Sequence, residues 1–447
     1  MSKKYHFIAI GGSVMHSLAT ELKSLGNSIT GSDDAIYGNS EAVLKKAGLL
    51  PEELGWFPQR ITKDLDAVIL GMHAKKDNPE IEAAHKLGIP VYSFPDFIYE
   101  LSKNKQRIVI GGSHGKTSIT GMIVHVLNYM KKPVDYLIGA PVKGLPGQVK
   151  ISDAPVIVIE GDEYLSSPED PTPKFLKYHH HIGVISGIDW DHANVFPSEK
   201  DYLEQFSHFA DATPKAGSII YCEADAEAKK IGSVIREEIN SIPYSLPKYK
   251  IKNEITHIYS GQNEYPVKVF GEHNLLNMEA AKAVLDKIGI TEDEFYEAIQ
   301  SFEGAGKRLD LIYSSNNLKV YNDFAHSPSK VKATVEAVSA QFPKNQLVAI
   351  LELHTFSSLN KDFVKRYKGT LKKADRAIIF FDANHKSVDN MISKETIETA
   401  FNHPKLSVTT DVNELSELIS TISKDQTSIL FMSSGQFGGL EITKLFN

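Results

Sequence analysis

Eight consecutive residues, Gly111-Gly112-Ser113-His114-Gly115-Lys116-Thr117-Ser118, have the composition of a phosphate cradle. They follow the apolar run Ile108-Val109-Ile110 and precede a helical pattern from Ile119 to Met130. In a strand, glycine turn and helix of this order, backbone N–H groups wrap phosphate oxygens, and the helix N-terminus adds dipole and free donors. Lys116 then reaches the β- and γ-phosphates, and the Thr117 hydroxyl ligates Mg2+. The general phosphate-loop pattern also wants a glycine five residues before Gly115. That position is Ile110, so the pattern present is the shorter Gly-x-x-Gly-Lys-Thr. A glycine turn with a surface lysine is the competing reading, and the flanking strand and helix weigh against it.

Two acidic groups sit at the ends of other apolar runs. Glu160-Gly161-Asp162-Glu163 follows Val156 to Ile159, and Asp191-His192 follows His181 to Ser186. Carboxylate oxygens suit a hard cation such as Mg2+, though solvated strand ends carry the same residue types. His179, His180 and His181 are adjacent and point in different directions, so they read as a surface turn rather than a metal cluster. A second glycine turn, Ala9-Ile10-Gly11-Gly12-Ser13-Val14, precedes a strand ending at Gly31-Ser32-Asp33. Ala9 and Val14 break the three-glycine dinucleotide fingerprint, which argues against NAD and leaves another diphosphate or an empty tight turn. His16 either faces a ligand at this turn or is exposed. Asn274 and Asn277 share a helical face, suited to an adenine edge or a structural contact. Gly304 to Arg308 suits a hinge or an anion contact, and Asn322 to Pro328 is a further polar strand end. No Cys–His or Ser–His–Asp constellation stands out.

These groups need a scaffold of alternating strands and helices. Tyr5 to Ile10, Ile29 to Gly31, Ala67 to Leu70 and Val91 to Ser93 read as strands, with a helix from Met15 to Leu25. This is the βαβ rhythm of an open parallel sheet, which places ligands at the carboxyl ends of its strands. The same rhythm recurs around Arg107 to Ile110, and again at Val320-Tyr321, Leu347 to Leu351, Ala377 to Phe381 and Ser428 to Met432. Helices are expected at 330–339 and 361–371. Residues 246–272 suit a small antiparallel insertion, and Gly289 a helix stop. The fold expected is α/β with three domains, at 1–106, 107–309 and 310–447.

Composition limits the partners. The 447 residues carry 49 Lys plus Arg against 56 Asp plus Glu, a formal charge of −7, which disfavours a nucleic-acid footprint. The single cysteine, Cys222, excludes an internal disulfide framework and fits a reducing compartment. Neither a signal peptide nor an apolar run of ~18 residues is evident, so a membrane span is not expected and the cytoplasm is the simplest location.

Taken together, the motifs resemble the Mur ligase family, ATP-dependent amide-forming enzymes of peptidoglycan assembly, over essentially the whole chain. GSHGKTS resembles the family's ATP loop, which implies nucleotide contacts from Gly112 to Ser118. The resemblance assigns Glu160 and His192 to Mg2+ beside Thr117, and makes Lys116, Glu160 and His192 the catalytic set. It assigns Asn274, Asn277, Arg308 and Asp323 to ATP. It implies a Rossmann-like N-terminal domain for the UDP-sugar, a central ATPase-type domain, and a Rossmann-like C-terminal domain for the amine. Gly11, Gly12, Ser13, Ser32, Asp33 and His73 would then serve the nucleotide-sugar, and His326, Ser434 and Phe437 the amine. The expected assembly is a monomer or weak homodimer.

The first domain and ISGIDWDH resemble the branch acting on UDP-N-acetylmuramate. In that branch the incoming amine is either L-alanine or the tripeptide L-Ala-γ-D-Glu-meso-diaminopimelate. DEYLSS, DHANVF, DFAHSP and SSGQFGG resemble the tripeptide-adding version, which is the expectation carried forward, with L-alanine as the alternative. LELHTFSSLN lacks an arginine that both versions usually have there. Lys330, Lys361 or Lys365 could replace it as a point charge. A catalytically silent protein that binds the same ligands is the alternative from another functional class.

Overall fold

The computed structural model describes residues 2–190, 195–382 and 392–446. The chain divides into two compact units, Met1–Ser245 with Asn277–Ile299, and Leu246–Leu276 with Gln300–Asn447.

The first unit opens with β1 (Lys4–Ile8), α1 (Ser13–Ser24), β2 (Ser28–Ser32), α2 (Asn39–Ala47), β3 (Ala67–Leu70), α3 (Pro79–Leu87), β4 (Val91–Ser93) and α4 (Phe94–Ser102). Its four strands are all parallel, in the order β2-β1-β3-β4. β3 is Ala-Val-Ile-Leu and buried along its whole length, as a strand covered on both faces must be. Helix starts follow local chemistry: Asn78 caps α3 ahead of Pro79, and Ser93 caps α4 ahead of Pro95.

A second sheet in the same unit is built from β5 (Gln106–Gly111), α5 (Lys116–Tyr129), β6 (Asp135–Leu137), β7 (Val149–Lys150), β8 (Val156–Glu160), α6 (Lys174–Lys177), β9 (Ile182–Ile185), α7 (Glu199–Asp211), β10 (Ser218–Cys222), α8 (Ala226–Ser233) and β11 (Asn240–Tyr244). Its order is β11-β10-β9-β5-β8-β6-β7, parallel except at the β6–β7 edge. β5 lies between β8 and β9, so the chain leaves it first to one side and then to the other. The crevice at its carboxyl end is the topological switch point of the sheet.

The histidine triplet just before β9 is not a surface turn throughout. His179 is exposed, but His180 is 1% exposed, and its Nε2 lies 2.8 Å from the Thr213 hydroxyl. Burial, reinforced by its cationic neighbours, pushes the His180 pKa down to about 3. The unfolded chain therefore binds a proton near pH 6.5 that the folded chain refuses. The stabilisation is full above pH 6.5 and is lost as pH falls toward 3. Between pH 7 and 4.5 the protein should lose about 2 kcal/mol more stability than a His180→Asn variant. Urea unfolding at the two pH values checks this, and equal losses would refute it.

In the second unit, β12 (Tyr249–Lys252), β13 (Ile255–Ser260) and β14 (Asn263–Val267) form the expected antiparallel insertion. In chain order it lies within the expected domain at 107–309. α9 (Glu272–Lys287) and α10 (Glu292–Ile299) follow, and the division between units falls inside α9. The remainder is β15 (Asp310–Ser314), β16 (Leu318–Asp323), α11 (Pro328–Gln341), β17 (Gln346–Glu352), β18 (Arg376–Phe380), α12 (Lys394–Phe401), β19 (Leu406–Thr409), α13 (Val412–Ser420) and β20 (Thr427–Met432). These strands form a six-stranded sheet, β15-β16-β20-β17-β18-β19, with β15 antiparallel at its edge. The insertion belongs here because Thr256 donates to Gln341 of α11 and Lys319 of β16 pairs with Glu254.

The helix expected at 361–371 is only a short 3-10 turn at Phe363–Tyr367. The Asn360 side chain accepts from the Asp362 and Phe363 N–H groups, and Gly369 has φ +75°. The Asn360 bonds cap the start of this turn, and the left-handed Gly369 stops a helix from continuing to 371. Among the described residues no helix is long and apolar enough to cross a membrane.

Candidate active site

The glycine-rich loop leaves β5 at the switch point, where Gly112 and Gly115 adopt φ of +127° and +77°. The Lys116 ammonium donates to the Gly112 carbonyl (2.6 Å) and to Glu163 Oε2 (2.7 Å). Burial opposes its charge, but Glu163, Asp162 and Glu160 outweigh burial and hold its pKa above the ordinary lysine value. One residue on, the Thr117 hydroxyl donates to Glu160 Oε1 (2.9 Å), while the Gly139 N–H donates to Glu160 Oε2 (2.7 Å). The ends of β5 and β8 thus bring a lysine, a hydroxyl and a carboxylate together as the sequence predicted. A hydroxyl and a carboxylate are hard oxygen donors, the set that Mg2+ accepts alongside phosphate oxygens and water.

Glu163 was missed as a site residue. It is 1% exposed, and its Oε1 accepts from the Tyr202 hydroxyl (3.0 Å). Tyr202 also lies 2.8 Å from the Ser113 hydroxyl, which accepts from the Asp189 N–H. Ser113 is therefore committed to the sheet side, and its contribution to a phosphate would come from its backbone. His114 faces Asp189 at 3.7 Å, and Ser118 is buried in the first turn of α5. The available signal for Glu163 was a second glutamate three residues after Glu160 at the same strand end.

Asn277 lies against the loop: a Cβ on Gly115 would come within 2.1 Å of its Oδ1. Asn274 belongs to the other unit, where its amide donates to the Phe270 carbonyl. Asp191 and His192 lie outside the described residues.

At the other glycine turn, Ala9 takes φ +63°, so the left-handed step falls on an alanine, and the glycine fingerprint was unreadable for that reason. The Gly11 N–H donates to Asp33 Oδ2 (2.7 Å) and the Ala35 N–H to Oδ1 (3.3 Å). Burial pushes the Asp33 pKa up, partly offset by these bonds. Asp33 shapes the turn, and Ser32 is buried beneath it. His16 is buried rather than exposed. Its Nδ1 lies 2.9 Å from the Gly12 carbonyl, and burial pushes its pKa down. Gly12 and Ser13 open α1 without a side-chain cap, leaving helix-end N–H donors for an anion. His73 is exposed in the loop after β3, on the same strand-end side.

The second unit holds the rest. Both Asp323 oxygens are engaged, Oδ2 by the Leu309 N–H (2.6 Å) and Oδ1 by the Ala325 N–H (2.7 Å). Arg308 lies over the Phe324 ring at 4.7 Å, and His326 Nδ1 is 2.8 Å from the Phe324 carbonyl. Beyond β17 and β20 is an open cavity of 360 Å³ lined by Lys307, Glu352, His354, Asp382, Ser434 and Gln436. Among the described residues the buried Ser434 hydroxyl has no hydrogen-bond partner there. Phe437 does not line this cavity with its ring. It is 1% exposed and packs against Phe431 and Phe380, while its N–H donates to Glu352. Alternation of polar and apolar residues was unreadable through the glycines around it.

A lysine-bearing glycine loop beside a hydroxyl–carboxylate pair is suited to a nucleoside triphosphate with Mg2+. Residues 4–106 match the Mur ligase family catalytic domain, 110–285 the Mur ligase middle domain, and 307–435 the Mur ligase glutamate ligase domain. The UDP-N-acetylmuramate–L-alanine ligase of Caldicellulosiruptor bescii is 31% identical over 88% of this chain and 87% of its own. Its counterpart in Lactiplantibacillus plantarum is 29% identical over 96% and 95%. Two solved structures share the fold. The UDP-N-acetylmuramate–alanine ligase of Thermotoga maritima has a TM-score of 0.73 at 22% identity, covering 98% of this chain and 96% of its own. The murein peptide ligase of Psychrobacter arcticus has a TM-score of 0.66 at 23%, covering 100% and 99%. The chain belongs to the Mur ligase family and is an ATP-dependent, amide-forming ligase.

Proposed function

We propose that the protein joins the lactyl carboxylate of UDP-N-acetylmuramate to the amino group of L-alanine. The observation that carries the ligase chemistry is the convergence of Lys116, Thr117 and Glu160 at adjacent strand ends. The domain of residues 1–106 would hold the nucleotide-sugar on the Gly11–Ser13 turn, 107–309 the ATP, and 310–447 the amine. Asn277, Asn274, Arg308 and Asp323 keep their proposed nucleotide roles, with Asp323 acting by shaping the 307–309 turn.

A lactyl carboxylate oxygen attacks the γ-phosphorus of ATP and ADP leaves, giving an acyl phosphate. Lys116 would exchange Glu163 for phosphate oxygens and neutralise charge as the phosphoryl group moves. Thr117 and Glu160 would hold Mg2+, which when bound shields the phosphate charge. The amine, having lost its proton, then attacks the acyl carbon, and phosphate is expelled. A site that excludes water protects the acyl phosphate from hydrolysis.

The named relatives support L-alanine rather than the tripeptide that the C-terminal loops suggested. The tripeptide remains the second reading because the 360 Å³ cavity is wider than alanine needs and carries Lys307 and His354. The Lys307 ammonium suits an additional carboxylate of a peptide. Purified protein given UDP-N-acetylmuramate, MgATP and either amine should form the L-alanyl product with the higher kcat/KM. A tenfold preference is about 1.4 kcal/mol in the transition state. A tenfold preference for the tripeptide would reverse the assignment of the amine and leave the ligase chemistry standing.

A further inference from the structure

We infer that Gln148 is a positioning residue that ties the nucleotide-sugar turn to the Mg2+-binding carboxylate. The inference rests on the functional reading above. Gln148 is buried just before β7, in the connection that returns from β6. Its amide nitrogen donates to the Gly139 carbonyl at 2.9 Å, and it lies 3.4 Å from the Ile138 carbonyl. The Gly139 N–H donates in turn to Glu160 Oε2 at 2.7 Å, leaving Glu160 Oε1 for Thr117. Gly139 is closely fitted here, since a Cβ on it would come within 3.1 Å of both Glu160 oxygens.

The other end of the Gln148 side chain faces α1. Its Oε1 lies 3.3 Å from the Ser17 hydroxyl, and that hydroxyl lies 3.3 Å from the Ser13 carbonyl. Ser13 is the first residue of α1, at the uncapped turn proposed to hold the diphosphate. Glu21 supports the same junction by accepting from the Ile151 N–H at 2.9 Å. One buried amide therefore connects both ends. Its nitrogen holds the Gly139 carbonyl and lies 3.4 Å from the Ile138 carbonyl, which shares a peptide with the N–H that aims Glu160, and its oxygen faces α1. An amide can do both because it donates at one atom and accepts at the other. A purely structural glutamine would staple the hairpin without affecting either ligand.

Calorimetric titration of the full-length protein tests this by reading ATP binding across a Mg2+ series, with and without UDP-N-acetylmuramate. Gln148→Glu keeps the size and the acceptor toward Ser17 but puts an oxygen against the Gly139 carbonyl. It should raise the Mg2+ concentration needed for half of the ATP-affinity gain by about two- to tenfold, the range for one buried hydrogen bond. Gln148→Ala should do the same and also abolish any change in ATP affinity caused by UDP-N-acetylmuramate. Ser17→Ala should abolish that change alone, with the Mg2+ dependence kept. A Mg2+ dependence and a substrate effect in Gln148→Glu and Ser17→Ala that match wild type would overturn the inference. Wild-type protein that releases no phosphate with UDP-N-acetylmuramate, MgATP and either amine would overturn the functional reading as well. Phosphate release by wild type with unaltered variants would overturn this inference only.

Discussion

Lys116→Ala will leave a protein that binds UDP-N-acetylmuramate and releases about 10³-fold less phosphate than wild type with both substrates present. In the proposed mechanism the loop carries this one lysine to the phosphates. The substitution also removes the cation beside Glu163, which is 1% exposed and also accepts from Tyr202. Removing one partner of a buried pair costs about 3–5 kcal/mol, less whatever Glu163 recovers by taking a proton. Lys116→Met with Glu163→Gln removes both charges at similar volume. It should recover most of the lost stability in urea unfolding without recovering activity. Near-normal phosphate release by Lys116→Ala would refute the phosphate-loop assignment. Full activity in the double variant would do the same.

Gly112→Ala should be equally inactive for a different reason. Gly112 sits at φ +127°, where a Cβ is strained whatever the space. That Cβ would also lie 2.2 Å from Ser186 Oγ, 2.9 Å from the Ser186 nitrogen and 3.1 Å from the Gly187 carbonyl. Two of these neighbours are backbone of the segment leaving β9, so the loop itself must move. The expected cost is at least ~2 kcal/mol of stability, with ATP binding lost as the cradle distorts. Adding Ser186→Ala removes the side-chain clash and leaves both backbone contacts. The pair should therefore remain inactive. Restoration of ATP binding by Ser186→Ala would show that crowding by one hydroxyl, and not backbone geometry, fixes Gly112.

Much of the site was legible because its chemistry is local in sequence. Val-Ile-Gly-Gly-Ser-His-Gly-Lys-Thr specifies a strand, a turn with two left-handed glycines and a helix start, and these rules act over a few residues. The antiparallel insertion was legible from Tyr, Val and Ile interrupted by turn residues. Its membership of the second unit was not, because the Thr256–Gln341 contact spans 85 positions. For the same reason the three domains read in chain order do not coincide with the two compact units. Residues 277–299 return to the first unit, where His125 and Tyr129 of α5 meet Ala298 and Glu297 of α10. The failed helix at 361–371 shows the opposite limit. Its apolar spacing was helical, but the left-handed Gly369 interrupts the run.

By itself the sequence determined the α/β class, the order of the strand-end motifs, the acidic net charge and the family. The first three follow from residue type and short-range period, and the family from the resemblance of its motifs. Tertiary structure alone decided which motif residues meet. Thr117 and Glu160 are 43 positions apart, and Lys116 and Glu163 are 47, yet β5 and β8 pair in parallel and end side by side. It also decided that His180 is neutral and buried, that Asp33 and Asp323 shape turns, and that the Phe437 ring belongs to the core. Burial and partner choice are set by which surfaces face one another after the sheets form. Neither spacing nor composition encodes that contact directly.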